Sequence, residues 1–280
     1  MPAIAYVNGQ FSLIEQAVIS VEDRGFQLGD GVYEVLRTYG GRLYAMAEHL
    51  RRLMRSLDAI ELEHRFTPAE LERIIRDCVQ RGGFPESLAY LQITRGAAKR
   101  AKAFPRGVSP TLVVTVRQLE APAAALREAG ARIMMAKDIR WQRCDIKSVG
   151  LLPNLLAFNR AKAAGFDEGV FVEEDEAIAE CCSANIFIVK RGQVATPPKS
   201  TRILGGITRG AVIAVARQHG VPLEERRVPL AELRAADEVF LTGTTVEVLP
   251  VIQVDGQPIG AGKPGPITQK LQELFRLSVA

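Results

Sequence analysis

The sequence predicts a two-domain protein that mixes helices and strands, an α/β or α+β chain. Three observations predict it. The 280 residues, 47% of them hydrophobic, suffice for two modest cores. Segments with the two-residue period of a strand alternate with segments that carry the 3.6-residue period of a helix. Between two such regions lies the stretch from Glu120 to Gly130, rich in alanine and interrupted by Pro122, which has the composition of a connector. The expected division is a smaller N-terminal domain over 1–119, a linker over 120–130 and a larger C-terminal domain over 131–280 that carries Lys147.

The elements follow in order. Ala3 to Ile14 reads as two short strands around Asn8-Gly9, a pair that takes the positive φ angles of a tight hairpin. Three glycines between Glu22 and Glu34 mark a turning backbone, after which Val32 to Tyr39 reads as a strand. Met46, Leu50, Leu53, Leu57 and Ile60 recur every three or four residues and build one face of a helix over Met46 to Leu62. A second helix begins at Pro68, tolerated in a first turn, and stops at Gly82-Gly83. Leu88 to Thr94 and Thr111 to Val116 read as strands, with a basic loop between them. Arg132 to Lys137 is a strand leading towards Lys147, and Leu152, Leu155, Leu156, Asn159 and Ala163 then sit at helical spacing as far as Gly165. Gly169 to Glu173, Asn185 to Lys190, Glu238 to Leu241 and Val248 to Val254 read as strands. A helix runs from the glycine pair Gly205-Gly206 to about Gly220, and a last one packs through Leu271, Leu274 and Phe275.

Composition narrows the function. Thirty-six basic residues against 32 acidic ones give +4, spread along the chain, so neither nucleic acid nor an anionic membrane is called for. Four cysteines without CxxC spacing or a histidine cluster point away from a zinc site and from a disulfide framework, and fit reduced thiols in a cytoplasm. Met1 to Tyr6 lacks a basic segment followed by an apolar one, and no run of about eighteen apolar residues follows. A cytoplasmic enzyme on small molecules, with no metal, is the expectation.

Several residue patterns carry chemistry. Lys147 stands in a short, mostly apolar segment, where lost solvation favours the neutral, nucleophilic amine that Schiff-base chemistry needs. His49 and Arg52 lie three apart on one helix flank and can address the same neighbour. Gly205-Gly206-Ile207-Thr208 opens a helix, whose unpaired amides and dipole favour a phosphate. On spacing alone, Arg51, Arg52 and Arg55 are a solvated face, residues 95–105 a solvated loop, and Glu180 turn chemistry.

Taken together these strings resemble one family. "RGFQLGDGVYE", "EHLRRL", "RGAAKRAKAFP", "DIRWQRCDIKSVGLLPN", "ECCSAN", "GGIT" and "TGTT" follow the order of the D-amino-acid aminotransferases, which are fold type IV enzymes using pyridoxal 5'-phosphate (PLP). The resemblance implies that fold, with PLP between two domains and a homodimer sharing active-site loops. It implies Lys147 as the catalytic lysine that holds PLP, and Glu180 at the ring nitrogen with Ser183 beside it. It implies Arg52, Gly206, Ile207, Thr208 and Thr244 at the phosphate and Leu204 against the ring. Tyr33, with Arg100 and Lys102 of the partner's loop, would hold the substrate carboxylate. Lys102 stands where the family usually has histidine, which keeps a cation and loses the flat ring. The activity implied is transfer of an amino group from a D-amino acid, such as D-alanine, to a 2-oxo acid such as 2-oxoglutarate. "ECCSAN" also resembles the aminodeoxychorismate lyases of the same fold type. Branched-chain L-aminotransferase is a third reading, and a PLP-binding module without turnover a fourth.

Overall fold

The computed structural model describes residues 2–120 and 124–279. They form two compact units. The first comprises residues 1–120 together with 146–150, and the second 121–145 together with 151–280.

In the first unit, β1 (Ile4–Val7) and β2 (Gln10–Leu13) form the expected hairpin, with Asn8 and Gly9 at φ 46° and 101°. A short helix, α1 (Arg24–Leu28), precedes β3 (Gly31–Tyr39) and β4 (Arg42–Leu43). Asp23 caps α1 through the Gly25 amide, and Gly29 closes it at φ 68°. Then come α2 (Met46–Ala59), α3 (Pro68–Gly82), β5 (Ser87–Thr94) and β6 (Thr111–Gln118). Thr67 caps α3 by accepting from the Glu70 amide, and Gly83 ends it at φ 69°. Among the described residues the strands pair as one antiparallel sheet in the order β2-β1-β6-β5-β3-β4. Alternate residues Val32 and Leu36, Leu91 and Ile93, and Leu112, Val114 and Val116 fall on one face. Leu50, Leu53 and Leu57 of α2 and Leu71, Ile74 and Ile75 of α3 close on that face, as the helical period requires.

The second unit opens with α4 (Ala124–Ala129), inside the stretch expected as a linker; residues 121–123, Pro122 among them, lie outside the described residues. It continues with β7 (Ala131–Lys137), α5 (Leu152–Ala163), β8 (Glu168–Val172), β9 (Ile178–Cys181), β10 (Asn185–Lys190) and β11 (Gln193–Thr196). After them come α6 (Ile207–Gln218), β12 (Leu223–Glu225), α7 (Leu230–Arg234), β13 (Glu238–Gly243), β14 (Glu247–Val254), β15 (Gln257–Pro258) and α8 (Pro266–Val279). The described strands form a mixed sheet in the order β12-β11-β10-β13-β14-β7-β8-β9, with β15 on β14. Pairs β11/β12, β14/β7 and β7/β8 are parallel. Strands β10 and β13 are almost continuously apolar because both their faces are buried. Ile186, Ile188, Val239 and Leu241 join one core, while Phe187 and Phe240 stack on each other at 4.7 Å.

Helix α5 forms where the helical spacing puts it; Leu152, Leu155 and Leu156 are 66, 53 and 42% exposed, and Ala157 and Ala161 are its buried residues. Close approach explains it, since a Cβ on Gly169 of β8 would lie 3.4 Å from the Ala157 carbonyl, a gap only small residues fill. Lys147, expected in the C-terminal domain, lies in the segment Ile146–Gly150 that groups with the first unit. Ser148 bridges to Val32, and Ile146 enters the α2/α3 core.

Candidate active site

In the first unit, candidate residues gather around the start of β3. The Tyr33 amide donates to the Lys147 carbonyl at 3.0 Å, and the Val149 amide to that of Gly31 at 3.1 Å. Gly31 is needed there, because a Cβ would meet the Ile93 carbonyl at 2.8 Å. The Lys147 amide donates to Ser56 Oγ of α2 at 3.4 Å, so the lysine backbone is held from two elements. Its half-buried side chain places Nζ 4.3 Å from the centre of the Tyr33 ring, a cation–π contact. Tyr33 stacks on Tyr90 at 5.5 Å, and burial, with Tyr33 adding to it, pushes the Tyr90 hydroxyl up to about 12.

Behind Tyr33, on the opposite face of β3, sits Glu34. Arg52 donates Nε and Nη2 to its two oxygens at 2.7 Å each, and His49 Nδ1 lies 2.7 Å from Oε2. The shared neighbour expected of His49 and Arg52 is therefore Glu34. Sequence reasoning missed it as a functional candidate, though an acid at the inward position between Val32 and Leu36 was the available signal. Burial alone raises the Glu34 carboxyl, but the charge and hydrogen bonds of Arg52 and the bond from His49 outweigh it and hold it at about 2. Burial pushes His49 down, and the positive charges of Arg52 and Lys147 add to that against the pull of Glu34. The imidazole is thus neutral at pH 7, with Nδ1–H donated to the carboxylate. Arg100 and Lys102 lie on the loop between β5 and β6 with exposed side chains.

In the second unit, candidate residues gather around Glu180, near the end of β9. Arg140 Nη1 donates to Oε1 at 2.5 Å, while the Leu204 amide (2.9 Å) and Asn185 Nδ2 (3.2 Å) donate to Oε2. Asp138 grips Arg140 in turn at 3.0 and 2.9 Å, and the guanidinium lies 4.2 Å from the Phe171 ring centre. Burial lowers the Arg140 pKa, but Asp138 and Glu180 outweigh it and hold the guanidinium firmly charged. No local pattern announced the contact of Arg140 with Glu180, which lies 40 residues away.

Asn185 also donates to the Leu204 carbonyl at 2.9 Å, so the strap before α6 is pinned to Glu180 and Asn185 together. Helix α6 starts at Gly206 with no side chain on its first amides, and a Cβ there would overlap Asn185 Oδ1. Ile207 and Thr208 are the first residues of α6, and Thr208 is buried. Thr242 pairs with Asn185 across β13 and β10, and its hydroxyl is buried without a partner; Thr244 follows two residues on. The Ser183 hydroxyl donates to Glu168, whose carboxyl is raised by burial against that bond. Burial raises the Cys181 thiol and pushes Cys182 up to about 12, so both are protonated packing groups. The structure thus brings Tyr33 and Lys147 together in the first unit, with Arg52 behind β3. It gathers Glu180, Leu204, Gly206, Ile207 and Thr208 in the second.

The amino-transferase class IV family matches residues 31–254. A D-alanine aminotransferase of Bacillus licheniformis is 38% identical over 97% of this chain and 95% of its own length. One of Listeria monocytogenes is 39% identical over 96% of this chain and 93% of its own. Among solved structures, the branched-chain amino acid aminotransferase of Escherichia coli superposes with a TM-score of 0.93 at 28% identity, covering 99% of this chain and 94% of that one. A second branched-chain amino acid aminotransferase, solved in complex with N-(5'-phosphopyridoxyl)-L-glutamate, gives 0.91 at 30% identity, covering 100 and 94%.

Proposed function

Because the chain belongs to the amino-transferase class IV family, with the fold type IV architecture, we propose that it moves the amino group of a D-amino acid, such as D-alanine, to a 2-oxo acid, such as 2-oxoglutarate. One observation carries the D-specific reading: curated D-alanine aminotransferases are 38 and 39% identical over nearly the whole chain. The chain is an aminotransferase and PLP is its cofactor.

The second unit's residues suit that group. A phosphate needs amide donors with no acid competing for them, and α6 opens on uncapped amides behind a glycine that admits no side chain. A protonated ring nitrogen needs a buried carboxylate, and Glu180 is one, anchored by Arg140 and Asn185. When bound, PLP supplies a carbon that receives the amino group and a ring that withdraws electrons from the substrate Cα.

The protein's own groups do the rest. Lys147 is assigned the attachment point and, once released, the base that moves a proton to and from Cα. Glu180 holds the proton on the ring nitrogen. Arg52, Gly206, Ile207, Thr208 and Thr244 are assigned the phosphate, Ser183 and Leu204 the ring, and Tyr33, Arg100 and Lys102 the substrate carboxylate. Glu34 takes two guanidinium nitrogens of Arg52 and so fixes its plane.

The enzyme works as a homodimer in this reading, with Arg100 and Lys102 supplied by a partner subunit. Exposed Leu152, Leu155 and Leu156 on α5, near exposed Trp141 in sequence, support a covered apolar face. A cytoplasmic setting is supported by four unpaired thiols, and no helix among the described residues is long and apolar enough to cross a membrane.

The superpositions favour branched-chain L-amino acids as a second reading. Rapid visible absorbance of the PLP-loaded protein, with D-alanine and L-leucine in parallel and no acceptor, separates the two. Loss of the cofactor band with D-alanine alone is expected; loss with L-leucine alone establishes the second reading. Silence with both, and 4-aminobenzoate in a coupled assay, would make the protein a lyase.

A further inference from the structure

Two buried arginines hold the loop that presents Arg100 and Lys102. Arg24 is 3% exposed and donates Nη1 to the carbonyls of Ala101 (2.8 Å) and Ala103 (3.4 Å), the residues flanking Lys102. Its Nε donates to Asp30 at 2.8 Å. Arg95, at the base of the loop, shares that carboxylate at 2.9 and 3.1 Å and bonds the carbonyls of Ile60 and Glu61. The Phe104 ring then lies 3.6 Å from the Arg95 guanidinium carbon. The loop also closes on itself at its two ends, since a Cβ on Gly96, at φ 94°, would overlap the Ser109 carbonyl.

A loop that served only as a solvated connection would have no use for a desolvated guanidinium on its carbonyls, because burying that charge is costly unless it is fully engaged. Here the backbone on both sides of Lys102 is clamped while the side chains of Arg100 and Lys102 stay exposed. A long cation on a mobile loop loses conformational freedom when it binds an anion; on a clamped backbone much of that loss is already met by folding.

We propose that Arg24, oriented by Asp30 and Arg95, is a positioning residue for the substrate carboxylate, holding residues 101–103 so that Arg100 and Lys102 present their charges at a fixed spacing. The proposal rests on the assignment of Arg100 and Lys102 to that carboxylate.

The test measures KM and kcat of the holoenzyme for D-alanine and 2-oxoglutarate, with hydrogen exchange of the amides of residues 97–104. Arg24→Gln should raise KM for both substrates about tenfold, the worth of one charge-assisted hydrogen bond, with kcat within about twofold and faster loop exchange. Arg24→Lys should recover part of the KM. Added to Arg100→Ala with Lys102→Ala, Arg24→Gln should raise KM no further, because the loop then has no cation to present. A further rise in that background, or an unchanged KM despite faster loop exchange, overturns the proposal. If Arg100→Ala with Lys102→Ala leaves KM unchanged, the carboxylate assignment itself falls and the proposal with it. Should Arg24→Gln not fold, Phe104→Ala decides, since its ring is 54% exposed: a raised KM with faster exchange supports the clamp, and an unchanged KM with faster exchange overturns it.

Discussion

Glu34 receives both Nε and Nη2 of Arg52 at 2.7 Å, and neither side chain is more than 6% exposed. A pair so buried is costly to break from one side. Glu34→Gln leaves the Arg52 cation and the His49 donor facing a neutral amide, and unfolding stability should fall by about 3–5 kcal/mol, read from urea denaturation.

The same carboxyl sets an acid limit. Its folded value of about 2 lies below its ordinary 4.5, so the stabilisation from its charge is complete above about 4.5 and lost as pH falls towards 2. Stability of the wild type should drop through that window, and Glu34→Gln should show a shallower slope there. Equal slopes in denaturant titrations at several pH values would count against the ion pair.

Lys147→Ala should abolish the covalent cofactor adduct found by mass spectrometry after borohydride reduction. Turnover should fall at least about a thousandfold, within the range for loss of a general base and nucleophile. The cation over the Tyr33 ring contributes little to folding, so the melting temperature should move only slightly.

Glu180→Gln removes a charge and keeps an acceptor for the Leu204 amide. We expect kcat to fall about a hundredfold with KM little changed, the pattern of a lost electrostatic stabiliser. Arg140 stays gripped by Asp138, so the variant should still fold, which circular dichroism checks.

Gly206→Ala puts a methyl into Asn185 Oδ1 and displaces the first turn of α6. Affinity for PLP should fall about ten- to a hundredfold in equilibrium dialysis, while Gly210→Ala, whose Cβ would meet open space, should leave it unchanged.

Sequence period and turn chemistry were enough for most elements. The Asn8-Gly9 hairpin, α3 between Thr67 and Gly83, and β3, β5 and β6 lie within about two residues of where period and glycine placed them. Helix α1 was illegible, because five residues bounded by Asp23 and Gly29 leave too short a stretch for a period to show. The buried face of α5, Ala157 and Ala161, was not legible, because a close helix–strand approach rewards small residues and hydrophobic spacing counts only large ones. At the site, the three-residue spacing of His49 and Arg52 told that they share a neighbour but not which. The Glu34–His49, Asp30–Arg95 and Arg140–Glu180 contacts join residues 15, 65 and 40 positions apart, which no local pattern reveals.

Five residues, Ile146 to Gly150, give the first unit a part that arrives late in synthesis. The ribosome makes β3, α2 and their sheet well before it makes the segment that bonds the start of β3 and adds Ile146 to the core. Until residue 150 has emerged, that unit lacks its lysine and the cover over Tyr33 and Gly31. A nascent chain or fragment ending at Glu120 is therefore an unfinished fold, and the segment that carries Lys147 marks its completion.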